Sequence, residues 1–364
     1  MAASTLPVRA TTINGSIGIT AAGGNLEVTL ASTNGTGDVT LRTLGWGDVL
    51  ITEVFADAHR ITINSAGAIA AFDLDEDPNL LARDIVLTAE GEIGQLTSTG
   101  VPVNIQADTL SASSATGSIE ILSVFGNLHV TSATAPQGDV FIVTQLGSLT
   151  VDLASAGENI ILASDSSDVI VGDLTAAGLV FVEAAGRIIQ TPTSIITGDD
   201  VMLQAVGDVL LGRIVSNTAE IFSEQASILD NNDFFGETMN LIVSGDVTMS
   251  AGSSTPYLPG TIGTLANCIE VEVGGTMFAG ASLTPGVAIH LCGTTNGGLV
   301  VIVPGNGIVV INGRPVDPFY LQDERGSANY AWDLRRRFDW IEQMPLLDGS
   351  IHIPMPIVDE RSNK

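Results

Sequence analysis

Residues 138–151 read Gly138-Asp-Val-Phe-Ile-Val-Thr-Gln-Leu-Gly-Ser-Leu-Thr-Val. Two short β-branched runs each follow a glycine and a small polar residue. The same unit returns about every twenty positions from Gly117 to Ser250. The first run of each unit starts at Ile119, Val140, Ile160, Val180, Val201, Ile221 and Leu241, in steps of 21, 20, 20, 21, 20 and 20. The second starts at Leu128, Leu149, Val169, Ile188, Val209, Ile228 and Val247, in steps of 21, 20, 19, 21, 19 and 19. A fixed period of this length is the mark of a stacked repeat. The runs alternate at period two, as strands do, and turn signals precede them, as at Gly117-Ser, Gly126-Asn, Gly138-Asp, Gly147-Ser, Gly207-Asp and Gly245-Asp, because a tight corner needs such backbone freedom. Two or three strands per unit do not make a layer by themselves. Wound as a coil, they place each strand on its counterpart one turn below. The prediction is an all-β chain forming a single-stranded parallel β-helix, or β-solenoid.

Working outward, residues 1–14 read as a lead-in and strands begin at Gly15. The lower coils are longer, with Ile17, Val39, Ile61 and Ile85 spaced 22, 22 and 24 apart. Above Ser250, residues 251–265 hold Pro256, Tyr257 and Pro259 and read as a corner loop. Strands resume at Ile269, Met277, Val287, Leu299 and Ile308. The span 15–313 accommodates roughly 14 coils, which at about 4.8 Å per rung gives a length on the order of 65–70 Å.

Residues 314–364 form a different segment, expected to cap or bridge coil ends. Ser327 to Met344 reads as a helix with Ala331, Leu334, Phe338 and Ile341 on one face, ended by Pro345. Ile351 to Val358 alternates as a strand whose Pro354 and Pro356 leave only one edge able to pair. A coil end presents unpaired backbone, so self-association end to end, or through this tail, is the expected partnership.

The chain has 364 residues, 45% hydrophobic and only 5% aromatic, with 40 glycines. Its formal charge is −28, from 41 acidic residues against 13 basic ones, and the single lysine is Lys364. Such acidity disfavours nucleic acid and anionic membranes as partners. The longest apolar stretch, Gly297 to Ile311, is broken by Pro304, Gly305, Asn306 and Gly307, so no membrane-spanning helix is expected. The start, Met1 to Pro7, has neither a basic nor an apolar region of the secretory kind. Cys268 and Cys292 are the only cysteines. Their separation of 24 is close to one coil, which leaves both a disulfide and a free pair open.

Candidate chemistry is sparse. Seven Gly-Asp pairs, at 37, 47, 138, 172, 198, 207 and 245, read as corners in which Asp bonds to nearby backbone. They lack the nonapeptide pattern of calcium-binding β-rolls. Asp73, Asp75 and Asp77 have the first spacings of an EF-hand loop, but Pro78 stands where glycine is required. A loose calcium site at Asp73, Asp75, Glu76 and Asp77 is the one metal candidate, against a solvated loop; no other cofactor is expected. Of the four motifs of pectin-hydrolase β-helices, only Gly198-Asp199-Asp200 is present. The expectation is therefore no enzyme, with Asp199 and Asp200 the residues to test for a carbohydrate-active alternative. His59, His129, His290 and His352 read as strand-face or tail residues, and no Cys-His group stands out. Arg335, Arg336 and Arg337 beside Trp332, Phe338 and Trp340 read as a helix face meeting acidic surface.

The units 138–151 and Ala205-Val-Gly-Asp-Val-Leu-Leu-Gly resemble the β-helical shaft of filamentous-haemagglutinin-like large exoproteins and related bacterial surface adhesins. The resemblance spans residues 15–313 and rests on period and composition. It implies an extracellular, bacterial-surface location and a role in attachment or surface structure, with a cell-surface glycan or protein as partner and no catalysis. The tail, and the lack of a recognisable secretion domain, depart from that family.

Overall fold

The structure, a computed structural model, describes residues 7–72, 77–94, 101–232, 239–254, 257–264, 266–281, 287–302 and 308–316. The chain divides into Met1–Pro318 and Phe319–Lys364. The second unit, with the expected helix, the Pro-flanked strand and Arg335–Arg337, lies outside the described residues.

Every described element is a strand, and nearly all pair in parallel with the strand one coil away. Val140 stands in register with Ile160, and Ile160 with Val180. This column runs through thirteen levels: Leu26, Val49, Ile69, Ile93, Ile119, Val140, Ile160, Val180, Val201, Ala219, Val247, Met277 and Leu299. The fold is therefore a parallel β-solenoid of about 13 turns.

Each central coil has three sides. Side one is a strand such as Ile119–Phe125. Side two is the first part of Leu128–Ala135, and side three is its last part. Residues 128–130 pair with 149–151 and residues 133–135 with 154–156, while 131 and 132 turn the corner between them. Alternation turns Ile119, Ile121, Leu128, Val130 and Ala133 inward, all at most 1% exposed and all in one continuous core. In these coils side three turns the small side chains Ala133, Ala135, Ala154 and Ala156 inward, where the three apolar sides meet. Corners impose their own demand. Gly147 has φ 131°, and a Cβ there would stand 2.1 Å from the Gly126 carbonyl oxygen one coil below. Only glycine fits such a close approach.

Three expectations shift. Val8–Asn14 is a strand paired with Leu26–Thr36, so these seven residues of the expected lead-in belong to the first coil. Ile221 lies two residues beyond the side-one column, since Val201 is stacked on Ala219 and Leu203 on Ile221. Leu241 lies on Ile214 in side three, while Val247 lies on Ala219 in side one. The cause is physical: inward apolar residues alternate identically on every side, so a twenty-residue period alone does not say which side a run occupies.

Among the described residues, two pairings break the parallel rule. Ser253–Ser254 pairs antiparallel with Tyr257–Leu258, within the stretch expected to be a corner loop. After Ile311 the chain reverses, and Arg314–Val316 pairs antiparallel with Ile308–Ile311. Asn312 and Gly313 make that reversal with φ of 50° and 72°. Two successive left-handed residues are the requirement of a tight hairpin turn, and Asn-Gly is its strongest sequence signal.

Candidate functional site

Seven of the 41 acidic residues stand in Gly-Asp pairs. In six of the seven, an Asp Oδ1 accepts a backbone N–H from the next coil, at 2.8–3.1 Å: Asp38 from Arg60, Asp48 from Ala68, Asp139 from Asn159, Asp173 from Ile195, Asp208 from Ser227 and Asp246 from Thr276. The device passes from coil to coil. Ser118 Oγ accepts from Asp139 N (3.0 Å), Asp139 from Asn159 N (3.0 Å), and Asn159 Oδ1 from Leu179 N (2.9 Å). A corner N–H has no strand partner of its own, and an Asp, Asn or Ser one coil below supplies it.

The seventh pair differs. Gly198-Asp199-Asp200 lies inside the strand Ile195–Ala205. Asp199 is exposed, and Asp200 accepts a hydrogen bond from the Thr218 hydroxyl in the next coil. Of the acidic loop 73–77, only Asp77 is among the described residues, where it is exposed; Asp73, Asp75 and Glu76 lie outside them. His129 projects outward and pairs with Asp152 at 2.8 Å, on exposed surface. His59 lies on the strand Val54–Ser65, and His352 lies outside the described residues.

A second feature lies on the outer face of side one. Leu122, Val124, Val143, Ile161, Ala163 and Phe181 are no more than 4% exposed, yet none belongs to the interior core. They sit in the outward phase of their strands, so this face is apolar and shielded from water. Carboxyls share it. Burial pushes Glu120 up to about 7, with Glu92 and Asp139 adding like charge. Burial likewise pushes Glu183 up to about 7, helped by Asp165 and Glu224. Burial alone raises Asp165 to about 6. Glu183 Oε2 has no hydrogen-bond partner among the described residues, while Glu224 Oε1 accepts from Gln204 Nε2 at 3.1 Å. Carboxyls raised this far hold protons near neutral pH, a property that both acid–base sites and buried structural clusters share. Asp165, Glu183 and Glu224 were not legible as a group, because each occupies the polar phase of its own coil.

The third feature joins adjacent coils. Cys268 and Cys292 form a disulfide with Cα atoms 5.8 Å apart. His290 lies beside it, 8% exposed, and the three side chains offer ligand atoms within 4.8 Å of one another. The sequence showed the one-coil spacing of the cysteines but not this Cys-His group. The overlooked signal is His290-Leu291-Cys292: residues two apart on a strand share a face.

Among the described residues no helix is long and apolar enough to cross a membrane. Set against protein-family models, curated proteins and solved structures, the chain finds no match in any of the three.

Proposed function

We propose that this chain is a non-catalytic structural or adhesive β-solenoid that works outside the cell, at a bacterial surface. The observation that supports it most is the fate of the corner acids: six Gly-Asp carboxylates are engaged in fastening one coil to the next. The acidity then serves the scaffold as well as its solubility. The Cys268–Cys292 disulfide suits an oxidising compartment, and the resemblance to filamentous-haemagglutinin-like exoproteins points the same way. Its expected partners are further copies of itself, end to end or through residues 314–364, and a surface glycan or protein. Electron microscopy of the full chain beside a chain ending at residue 318 tests this. Filaments or end-to-end oligomers that need the tail support assembly; identical monomers from both chains overturn it.

A second reading, a carbohydrate-binding or polysaccharide-degrading β-helix, is favoured by the raised carboxyls of Asp165 and Glu183. It moves the candidate acids away from Asp199 and Asp200. A screen of neutral and acidic glycans against the native chain and Glu183→Gln decides it. Binding or cleavage lost in the variant supports this reading, and no response from the native chain removes it.

A further inference from the structure

The register around the disulfide places an imidazole beside the two sulfurs. Ile269 is paired with Leu291 and Glu270 with Cys292. Ile269 and Leu291 point into the core, both at most 2% exposed. Their flanking residues Cys268, His290 and Cys292 therefore share the opposite, outward face of two adjacent coils. The imidazole is already oriented. His290 Nδ1 is hydrogen-bonded to the Thr264 carbonyl. A carbonyl only accepts, so Nδ1 carries the proton and Nε2 keeps its lone pair. A backbone carbonyl that holds one ring nitrogen is the usual support of a metal-ligating histidine.

We infer that Cys268, His290 and Cys292 are a redox-gated zinc site, closed as a disulfide under oxidising conditions and open to the metal when reduced. Zinc–sulfur bonds of about 2.3 Å and zinc–nitrogen bonds of about 2.0–2.1 Å place tetrahedral ligands roughly 4 Å or less apart. Ligand atoms already within 4.8 Å need only small side-chain rotations. Water or Glu270, in register with Cys292, fills the fourth position. The exchange balances with a small-molecule thiol as reductant. Two such thiols leave as their own disulfide, and Cys268 and Cys292 each gain one hydrogen. Binding of one zinc ion then releases both thiol protons. In either state the coils carrying residues 268 and 292 are tied together, once through a sulfur–sulfur bond and once through the metal. The site therefore reports the redox poise of its compartment without letting the upper coils separate.

Cobalt titration of the full chain tests the inference, because cobalt bound to thiolate gives a sulfur-to-metal charge-transfer band that carboxylate-bound cobalt does not. The reduced chain is expected to take up one equivalent with that band. The oxidised chain shows none, and the double variant Cys268→Ser, Cys292→Ser shows none. His290→Gln binds at least about 10-fold more weakly. Zinc is expected to displace the cobalt and to raise the thermal midpoint of the reduced chain. A reduced chain that keeps its β-sheet circular dichroism yet develops no band overturns the inference. So does a reduced chain that loses that signal and does not regain it with metal, or a His290→Gln chain that binds as tightly as the native one.

Discussion

The coils from Ile119 to Val201 and those from Val201 to Leu299 follow the same column but are built differently. In the lower group successive levels are 21, 20, 20 and 21 residues apart. In the upper group they are 18, 28, 30 and 22 apart. The uniform coils are stitched by one short polar side chain per corner, as at Ser118, Asp139 and Asn159. The irregular coils keep corner acids at Asp208 and Asp246 and add other fastenings. Asn240, fully buried, donates to the carbonyls of Leu211 and Gly212 and to Asp230, and its Oδ1 receives Glu270 N. The disulfide ties residues 268 and 292. A constant coil length lets one small device repeat, whereas a variable length breaks the repeat and calls for fastenings particular to each site.

The largest expected effect breaks the uniform group at its core. Ile160 is fully buried between Val140 and Val180, so Ile160→Ala should destabilise by about 2–5 kcal/mol, read by denaturant unfolding. An effect under about 1 kcal/mol contradicts the continuous core.

Next comes the disulfide. Reduction in metal-free buffer should lower the stability of the upper coils by about 3 kcal/mol, as expected for a closed loop of this size. Hydrogen exchange should accelerate in residues 266–295 and stay unchanged in 119–205; uniform acceleration would mean that both groups unfold as one.

A smaller effect separates corner acids from the exception. Asp139→Ala removes an acceptor for both Asn159 N and Asn159 Nδ2 and should cost about 1–2 kcal/mol. Asp199→Ala, at an exposed position, should stay within about 0.5 kcal/mol. Equal effects would remove the structural role assigned to the corners.

The smallest effect is pH-dependent. Glu120 and Glu183 are raised to about 7 and Asp165 to about 6, so the folded chain holds these protons more tightly than the unfolded chain. Their contribution is full below about pH 4 and is lost as pH rises through 6 and 7. Asp84 and Asp168, held low by hydrogen bonds from Arg83 and Arg187, act the other way, losing their contribution only at acid pH. The thermal midpoint should fall between pH 5 and pH 8, and Glu183→Gln should flatten that slope; an unchanged slope would place Glu183 in water.

The sequence made the solenoid legible because inward residues such as Val140, Ile160 and Val180 repeat at a fixed step, and stacking is the only way for such short strands to bury them. It misplaced Ile221, Leu241 and Val247, since a slip of two residues keeps the inward phase and hides the change of side. The Asn312-Gly313 reversal was present as a dipeptide and went unused within a parallel scheme. The shielded outer face of side one was out of reach for a different reason. Leu122 and Phe181 occupy outward positions, which a period-two pattern assigns to solvent, yet both are only 4% exposed. His290 was hidden by distance along the chain: only the register of 269 with 291 brings it to Cys268.

The central claim is that successive outward residues climb one rung per coil. Spin labels at residues 129 and 229 test it most directly. His129, Thr150, Ile170, Ile189, Leu210 and Leu229 are in successive register, so the two ends are five rungs apart, about 24 Å at the spacing of paired strands. A narrow pulsed electron-resonance distance distribution near that value is the predicted result. A broad distribution, or one centred well away from it, would contradict the stacked coil.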